Sequence, residues 1–142
     1  MFHWRMRVYY EDTDTGGIVF YANYLKFFER ARTEWLRSGG FDQSVLAETQ
    51  GVMFVVTHTA VDYHAPARLD NELKLSVQVE KCGRASVEFI QQAWRDSGTP
   101  PALLATGRIK VACVDRHSLR PRALSPSLLD FIRKTGGANV SG

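Results

Sequence analysis

A single segment of this chain has the pattern of a long helix, and nearly everything else that could be regular reads as strand. From about Tyr21 to Arg37, steps of about 100° per residue place Tyr21, Tyr24, Leu25, Phe27, Phe28, Ala31, Trp35 and Leu36 on one half of a cylinder. Asn23 can cap its start, and Gly39-Gly40 ends it. Arg5 to Glu11 (RMRVYYE) is rich in strand formers. Val52 to Tyr63 is rich in β-branched residues. Glu72 to Lys81 alternates cleanly, with Leu73, Leu75, Val77 and Val79 on one face and Lys74, Ser76, Gln78 and Glu80 on the other. Arg84 to Arg95 and Leu103 to Asp115 are two more strands, the first entered by a tight turn at Cys82-Gly83, the second by a hairpin loop from Asp96 to Pro101. One helix cannot cover both faces of five strands. The expected solution is α+β: a strongly curved antiparallel sheet wrapped around that helix. Sheet edges left open in such a fold invite a partner subunit.

The remaining segments are short. Asp12 to Gly17 is a dense cluster of turn residues. Phe41 to Gln50 is polar, with room for a short turn of helix. Ser125 caps a short C-terminal helix with Leu128, Leu129 and Ile132 on one side. One domain is expected over residues 1–134, followed by a small, polar, flexible tail over residues 135–142.

Composition narrows the class. Of the 142 residues, 44% are apolar and 23% charged, which is globular rather than disordered. The net charge of +3 is spread without a basic block, so nucleic acid is not expected as a partner. Apolar runs are too short for a membrane span, and Met1 to Arg5 lacks the apolar core of a secretory signal. Cys82 and Cys113, in strand-like segments, read as reduced and buried in a cytoplasmic protein rather than as a disulfide or metal pair.

Several chemistries lack their residues. Asp12-x-Asp14-x-Gly16-Gly17 suggests a calcium loop, but the fifth position is Gly16 and the twelfth is Asn23, neither of which supplies the needed oxygens. No G-x-G-x-x-G, Walker A or G-x-S-x-G sequence occurs. The four histidines, His3, His58, His64 and His117, show no metal-binding spacing, and no metal or cofactor is expected. His58 and His64, in or just after a strand, read as surface or satisfied core residues.

Asp14 stands out. It sits in a glycine-rich turn just before the long helix, whose N-terminal N–H groups can polarise a carbonyl oxygen. A carboxylate beside an oxyanion-binding helix end is the minimum equipment for acyl transfer. The plainer reading is that Asp12 or Asp14 caps the turn. Arg32, in Glu29-Arg-Ala-Arg-Thr-Glu34, falls inside the apolar stripe with Glu29 on its margin. An arginine there must snorkel or pair, so Arg32 is expected to bond Glu29 or sheet carbonyls.

The segment Val8-Tyr-Tyr-Glu-Asp-Thr-Asp-Thr-Gly-Gly-Ile-Val-Phe-Tyr-Ala-Asn-Tyr24, followed by Phe28-Glu-Arg-Ala-Arg-Thr-Glu34, resembles the signature of the hotdog-fold acyl-CoA thioesterases. Within them it is most similar to the Tol-Pal-associated, YbgC-like branch of the 4-hydroxybenzoyl-CoA thioesterase family. Val61-Asp-Tyr-His-Ala-Pro-Ala-Arg-Leu-Asp70, Val114-Asp115 and Pro121-Arg-Ala-Leu124 add to the match. The resemblance implies a hotdog fold and hydrolysis of acyl-CoA or acyl-carrier-protein thioesters in the cytoplasm, without a cofactor. It implies Asp14 as the catalytic carboxylate and the Tyr21 backbone N–H as the group that polarises the carbonyl. It further implies substrate contacts from Gly17, and carrier-phosphate contacts from Arg84, Arg122 and Lys81. Many members of this branch carry His where Tyr21 stands. Tyr is the 4-hydroxybenzoyl type, and the difference bears on which acyl group fits. Two sheets joined edge to edge in a homodimer, or dimers paired into a homotetramer, would share the site. Two other readings of the same fold are a low-turnover module that binds acyl carriers in a lipid-synthesis or cell-envelope complex, and a dehydratase. The latter needs a His paired with a carboxylate, and no His lies between Asp14 and Arg37.

Overall fold

The computed structural model describes residues 1–96 and 101–135. Strand β1 (Phe2–Arg7) is followed by a single 3₁₀ turn at Tyr10–Asp12, helix α1 (Asn23–Ser38) and helix α2 (Gln43–Gln50). Four strands come next: β2 (Val52–Tyr63), β3 (Glu72–Cys82), β4 (Ser86–Arg95) and β5 (Ala102–Asp115). Helix α3 (Pro126–Thr135) closes the described chain. The strands form one five-stranded sheet in the order β1-β3-β4-β5-β2, antiparallel throughout. The α+β expectation therefore holds. No helix among the described residues is long and apolar enough to cross a membrane.

Helix α1 lies on the inner face of the sheet and buries Tyr24, Phe27, Phe28, Ala31, Trp35 and Leu36. Leu25 and Tyr21, placed on the same stripe by periodicity, are exposed. The stripe is narrower than expected because Tyr21 precedes the helix and Leu25 sits at its margin. The inward side chains of β3, Leu73, Leu75, Val77 and Val79, are fully buried, as their alternation requires. Close packing of helix on sheet depends on Gly107 in β5. A Cβ built there would stand 2.8 Å from Phe28 Cε2, too near for any side chain.

The centre of this interface is polar. Gln91 of β4, 0% exposed, donates through Nε2 to the carbonyls of Phe28 (3.0 Å) and Ser76 (3.3 Å). Its Oε1 accepts from Arg32 Nη1 at 2.9 Å. Arg32 is half-buried and lies over the Phe89 ring, 5.9 Å from its centroid. Its hydrogen-bond partner is thus a sheet side chain, not the Glu29 carboxylate or a sheet carbonyl as expected; Glu29 acts on it through charge. Cys82 and Cys113 are buried free thiols, and burial pushes both up from the usual thiol range.

Other boundaries move for local reasons. The first strand ends at Arg7 rather than Glu11, because the Tyr9 N–H turns to the Asp12 carboxylate. The polar stretch holds two turns of helix, capped by Asp42, whose Oδ1 accepts from Ser44 N (2.9 Å) and Val45 N (3.3 Å). Ser125 Oγ accepts from Leu128 N at 3.3 Å, as a cap of α3 should. That helix runs through Thr135. The rest of the expected tail, and residues 97–100 of the expected hairpin loop, lie outside the described residues.

Strand β2 ends one side of the sheet. At its middle, the pairing with β5 shifts between Val56 and His58, so Thr57 is an extra residue. The bulge resets the alternation. Val56 opposite Val111, and then Thr59, Val61 and Tyr63 opposite Ile109, Gly107 and Ala105, all face the helix side. From Val56 to Ala60 the strand is exposed on both of its faces.

Candidate active site

The loop between β1 and α1 is built by two aspartates, one buried and one exposed. Asp12 is 8% exposed. Its Oδ2 accepts from Tyr9 N (2.9 Å), and its carbonyl accepts from Phe20 N (3.0 Å) and Asn23 Nδ2 (2.8 Å). Asp12 therefore ties the turn to the first residue of α1. Asn23, expected as a helix cap, instead donates its side chain to this tie; the residue before the helix is Ala22, which offers no side-chain cap.

Asp14 is exposed and sits in a miniature hairpin in which Thr13 bridges Val19. Its N–H donates to Ile18 O at 2.8 Å, and its carbonyl accepts from Gly17 N at 3.1 Å. Its Oδ1 accepts from Gly16 N (2.8 Å) and Ile18 N (3.4 Å). Among the described residues nothing bonds its Oδ2. The turn thus orients the carboxylate by one oxygen and presents the other. Gly17 has φ +79°, a left-handed conformation that costs other L-residues about 1–2 kcal/mol. Val19 N donates to Ala67 O at 2.8 Å, which fixes the hairpin to the chain beyond β2.

The loop delivers the chain to the N-terminus of α1. There Asn23 N donates to Phe20 O (2.9 Å) and Tyr24 N to Tyr21 O (3.4 Å). The N–H groups of Tyr21 and Ala22 have no partner among the described residues. A helix start with unpaired amides and no side-chain cap is a site of positive potential. The arrangement supplies a carboxylate oxygen and fixed amide donors from one short loop.

Aromatic rings wall this region. Tyr63, brought to the inner face by the bulge in β2, lies edge-on to Tyr21 (6.0 Å between centroids) and to Tyr24 (5.6 Å). Its hydroxyl donates to Tyr21 O at 3.1 Å. Burial pushes the Tyr63 and Tyr24 hydroxyls up from the ordinary phenol range. With Ile18, Val19, His64 and Pro66 these tyrosines line an apolar groove. His64 Nε2 stands 3.0 Å from Thr106 Oγ1, so its partner is a hydroxyl and not the carboxylate that a dehydratase needs. Tyr63 and His64 were not among the expected site residues, although both fall inside the Val61–Asp70 segment. Position in that segment was the one available signal.

The expected carrier contacts lie elsewhere. Asp14, Gly17 and Tyr21 come together with the Tyr63 end of β2. Tyr63 pairs with Ala105, whereas Val52 at the other end pairs with Asp115. Arg84 O accepts from Leu124 N (2.9 Å), and Arg122 N donates to Cys113 O (2.9 Å), so both belong to the Val52 end. Lys81 is at the end of β3, opposite Glu88 near the start of β4. Most of the length of β2, about 36 Å at ~3.3 Å per residue, separates Arg84 and Arg122 from the Tyr63 end within one chain, whereas Lys81, through Glu88 and Lys110, is level with His58 in the middle of β2. Arg122 is also committed: Nη1 donates to Asp115 Oδ2 (2.9 Å) and Nη2 to Gln50 O (3.1 Å). The N–H groups of Ser118 and His117, with Arg122 as a lesser contributor, hold the Asp115 carboxyl down at about 2. No group of three or more His, Cys, Asp and Glu side chains suited to a metal ion occurs among the described residues.

Comparison with known proteins points one way. Residues 16–102 match the model of the thioesterase superfamily. The chain is 43% identical over 129 residues to the acyl-CoA thioester hydrolase YbgC of Escherichia coli O6:H1, covering 91% of this chain and 93% of that protein. It is 44% identical over 122 residues to the acyl-CoA thioesterase YbgC of Haemophilus influenzae, covering 86% and 87%. A probable thioesterase of Bartonella henselae superposes with a TM-score of 0.81 at 32% identity, covering 87% of this chain and 98% of that one.

Proposed function

Because the chain belongs to the thioesterase superfamily and is a thioester hydrolase, we propose that it cleaves acyl-CoA thioesters with Asp14 and the N-terminus of α1. The observation that carries this reading is the division of labour in Asp14. Oδ1 is held by turn amides, Oδ2 is presented, and the unpaired amides of Tyr21 and Ala22 stand at the adjoining helix start. The thioester oxygen would accept the Tyr21 N–H, and charge developing on it would be stabilised by a dipole already in place. Asp14 would attack the carbonyl carbon as the C–S bond breaks, releasing the thiolate and leaving a mixed anhydride that water opens. Alternatively it would take the proton of an attacking water, again with departure of the thiolate. Either route yields one carboxylic acid and one thiol per water consumed. Gly17 serves by admitting the turn, and Tyr63 by positioning Tyr21.

The carrier contacts follow from assembly. Strand β2 is an open edge with both faces exposed at its middle, and such an edge calls for a partner. Antiparallel pairing of two β2 strands about a two-fold axis sets the Tyr63 end of one beside the Val52 end of the other. Asp14 of one protomer then lies near the end that carries Arg84 and Arg122 in its partner, with Lys81 farther along, level with the middle of β2. Those cations would receive phosphates of CoA, or of the phosphopantetheine on an acyl carrier protein. The homodimer is thus the smallest active unit, with pairing of dimers into tetramers a further step. A substrate of this kind places the enzyme in the cytoplasm.

A thiol-release assay over acyl-CoA chain lengths tests the proposal. Turnover with at least one acyl-CoA is expected. No turnover with any acyl-CoA or acyl carrier protein would leave only a binding module.

A further inference from the structure

A second cavity, of about 130 Å³ and partly open at Val56, lies between the C-terminal half of α1, Gln43 at the start of α2, the inner face of β2, β4 and β5, and α3. Its walls are mostly apolar, with Trp35, Phe54, Val87, Phe89 and Ile132 among them. An apolar cavity of about 150 Å³ can hold a benzene ring, so this one is ring-sized. Its residues are two to four turns of helix beyond the site described above: Glu29 and Arg32 follow Tyr21 by 8 and 11 residues, roughly 12 and 16 Å at 1.5 Å per residue.

Two polar groups of this cavity are under-paired. Arg32 has five N–H donors, and the one hydrogen bond found goes to the neutral Gln91 amide. No carboxylate of the described residues lies within 4.0 Å of its guanidinium. Glu29, which lines the same cavity, raises the Arg32 pKa through its charge, but burial outweighs this and lowers the value to about 10. Trp35 Nε1 is buried without an acceptor among the described residues. A half-buried cation without an ion pair and an orphaned N–H weaken a structure unless something answers them. Beside a ring-sized apolar wall, Arg32 is the polar anchor of a ligand site, with the Trp35 ring in the wall.

We infer that this cavity binds a compact apolar anion, with its ring-sized body against Trp35, Phe54 and Phe89 and its carboxylate on Arg32. A carboxylate matches the guanidinium fork, and the cation–π face of Phe89 leaves the opposite donors to the ligand. The same chemistry has two sources: a free carboxylic acid, or the distal carboxylate of an acyl group held as a thioester. The second source rests on the thioesterase reading; the binding site itself does not.

Calorimetry on the full chain, with benzoate and its uncharged isostere benzamide as probes, tests the inference. Benzoate should bind at least about tenfold more tightly than benzamide. Arg32→Met should abolish the difference, and Arg32→Lys, which keeps the charge but loses the fork, should reduce it. The indole N–H resonance of Trp35, assigned with Trp35→Phe, should shift on benzoate binding. If Arg32→Met fails to fold, the Lys variant decides. Equal affinity for the two probes, no saturable benzoate binding up to about 10 mM, or an undiminished preference in the substituted proteins would overturn the inference. Two further arms separate the sources. Unchanged benzoate affinity in Asp14→Asn, with no rate preference for acyl-CoA ending in a carboxylate over one ending in methyl, assigns a free acid. A rate preference for the carboxylate end that vanishes in Arg32→Met assigns the acyl group. Failure of every acyl-CoA to turn over, with benzoate still bound, would remove the thioesterase reading and leave this one standing.

Discussion

At the scale of single residues, the loop before α1 was legible because its chemistry is local. Asp12 to Gly17 is a run of turn formers, and a turn can be read from its own residues. The partners by which Asp12 serves the turn could not be read, since Tyr9 and Asn23 meet it only in space. Tyr63 and His64 escaped for a related reason: 42 residues separate Tyr63 from the Tyr21 carbonyl it bonds. Asp115 offers a residue-scale prediction. Its carboxyl is held at about 2, mainly by the N–H groups of Ser118 and His117, while an unfolded Asp titrates at 3.8. The folded pKa is the lower one, so the stabilisation is fully present above about pH 4 and is lost as pH falls toward 2. Denaturant titrations should find Asp115→Asn less stable than the natural protein at pH 6, with the gap closing between pH 4 and 2. A gap independent of pH would mean that the carboxylate charge is not what the loop uses.

At the scale of elements, alternation in β3, β-branched content in β2 and the turn signals around β4 and β5 located these four strands to within two residues at each end. The signal failed where burial is thin. Helix α2 buries only Leu46, so its pattern was drowned by polar residues. Tyr9 and Tyr10 favour strand intrinsically, yet a carboxylate cap on the Tyr9 N–H ends β1 two residues earlier. The bulge at Thr57 left no mark that could be read without its partner strand, although it decides which way Tyr63 points. The joint between α1 and the sheet gives the element-scale prediction. Gly107→Ala would press a methyl group onto the Phe28 ring, where 2.8 Å is available. Overpacking of this kind costs about 1–3 kcal/mol, so the midpoint of thermal unfolding should fall by several degrees. An unchanged midpoint would show that α1 can lift from the sheet without loss.

For the whole molecule, the antiparallel sheet around one helix followed from counting elements, but the strand order did not. That order places β2 at an edge and separates Arg84 and Arg122 from Asp14 by the length of a strand, which no local pattern encodes. On the proposed reading, this separation makes assembly part of the function. Light scattering at micromolar concentration should give at least twice the 16.0 kDa chain mass; a monomer would leave Asp14 without carrier contacts and contradict the shared site. In the proposed mechanism the chemistry comes down to one carboxylate. Asp14→Asn keeps the shape of the side chain and its acceptor for Gly16 N–H, but removes both nucleophile and base. Steady-state thiol release from the best acyl-CoA substrate should fall by a factor of about 10² or more in this variant, the scale of losing a general base, while its thermal unfolding and its mass by light scattering stay as they were. Asp12→Asn, measured alongside, should lose much less. Near-normal turnover by Asp14→Asn would contradict the account.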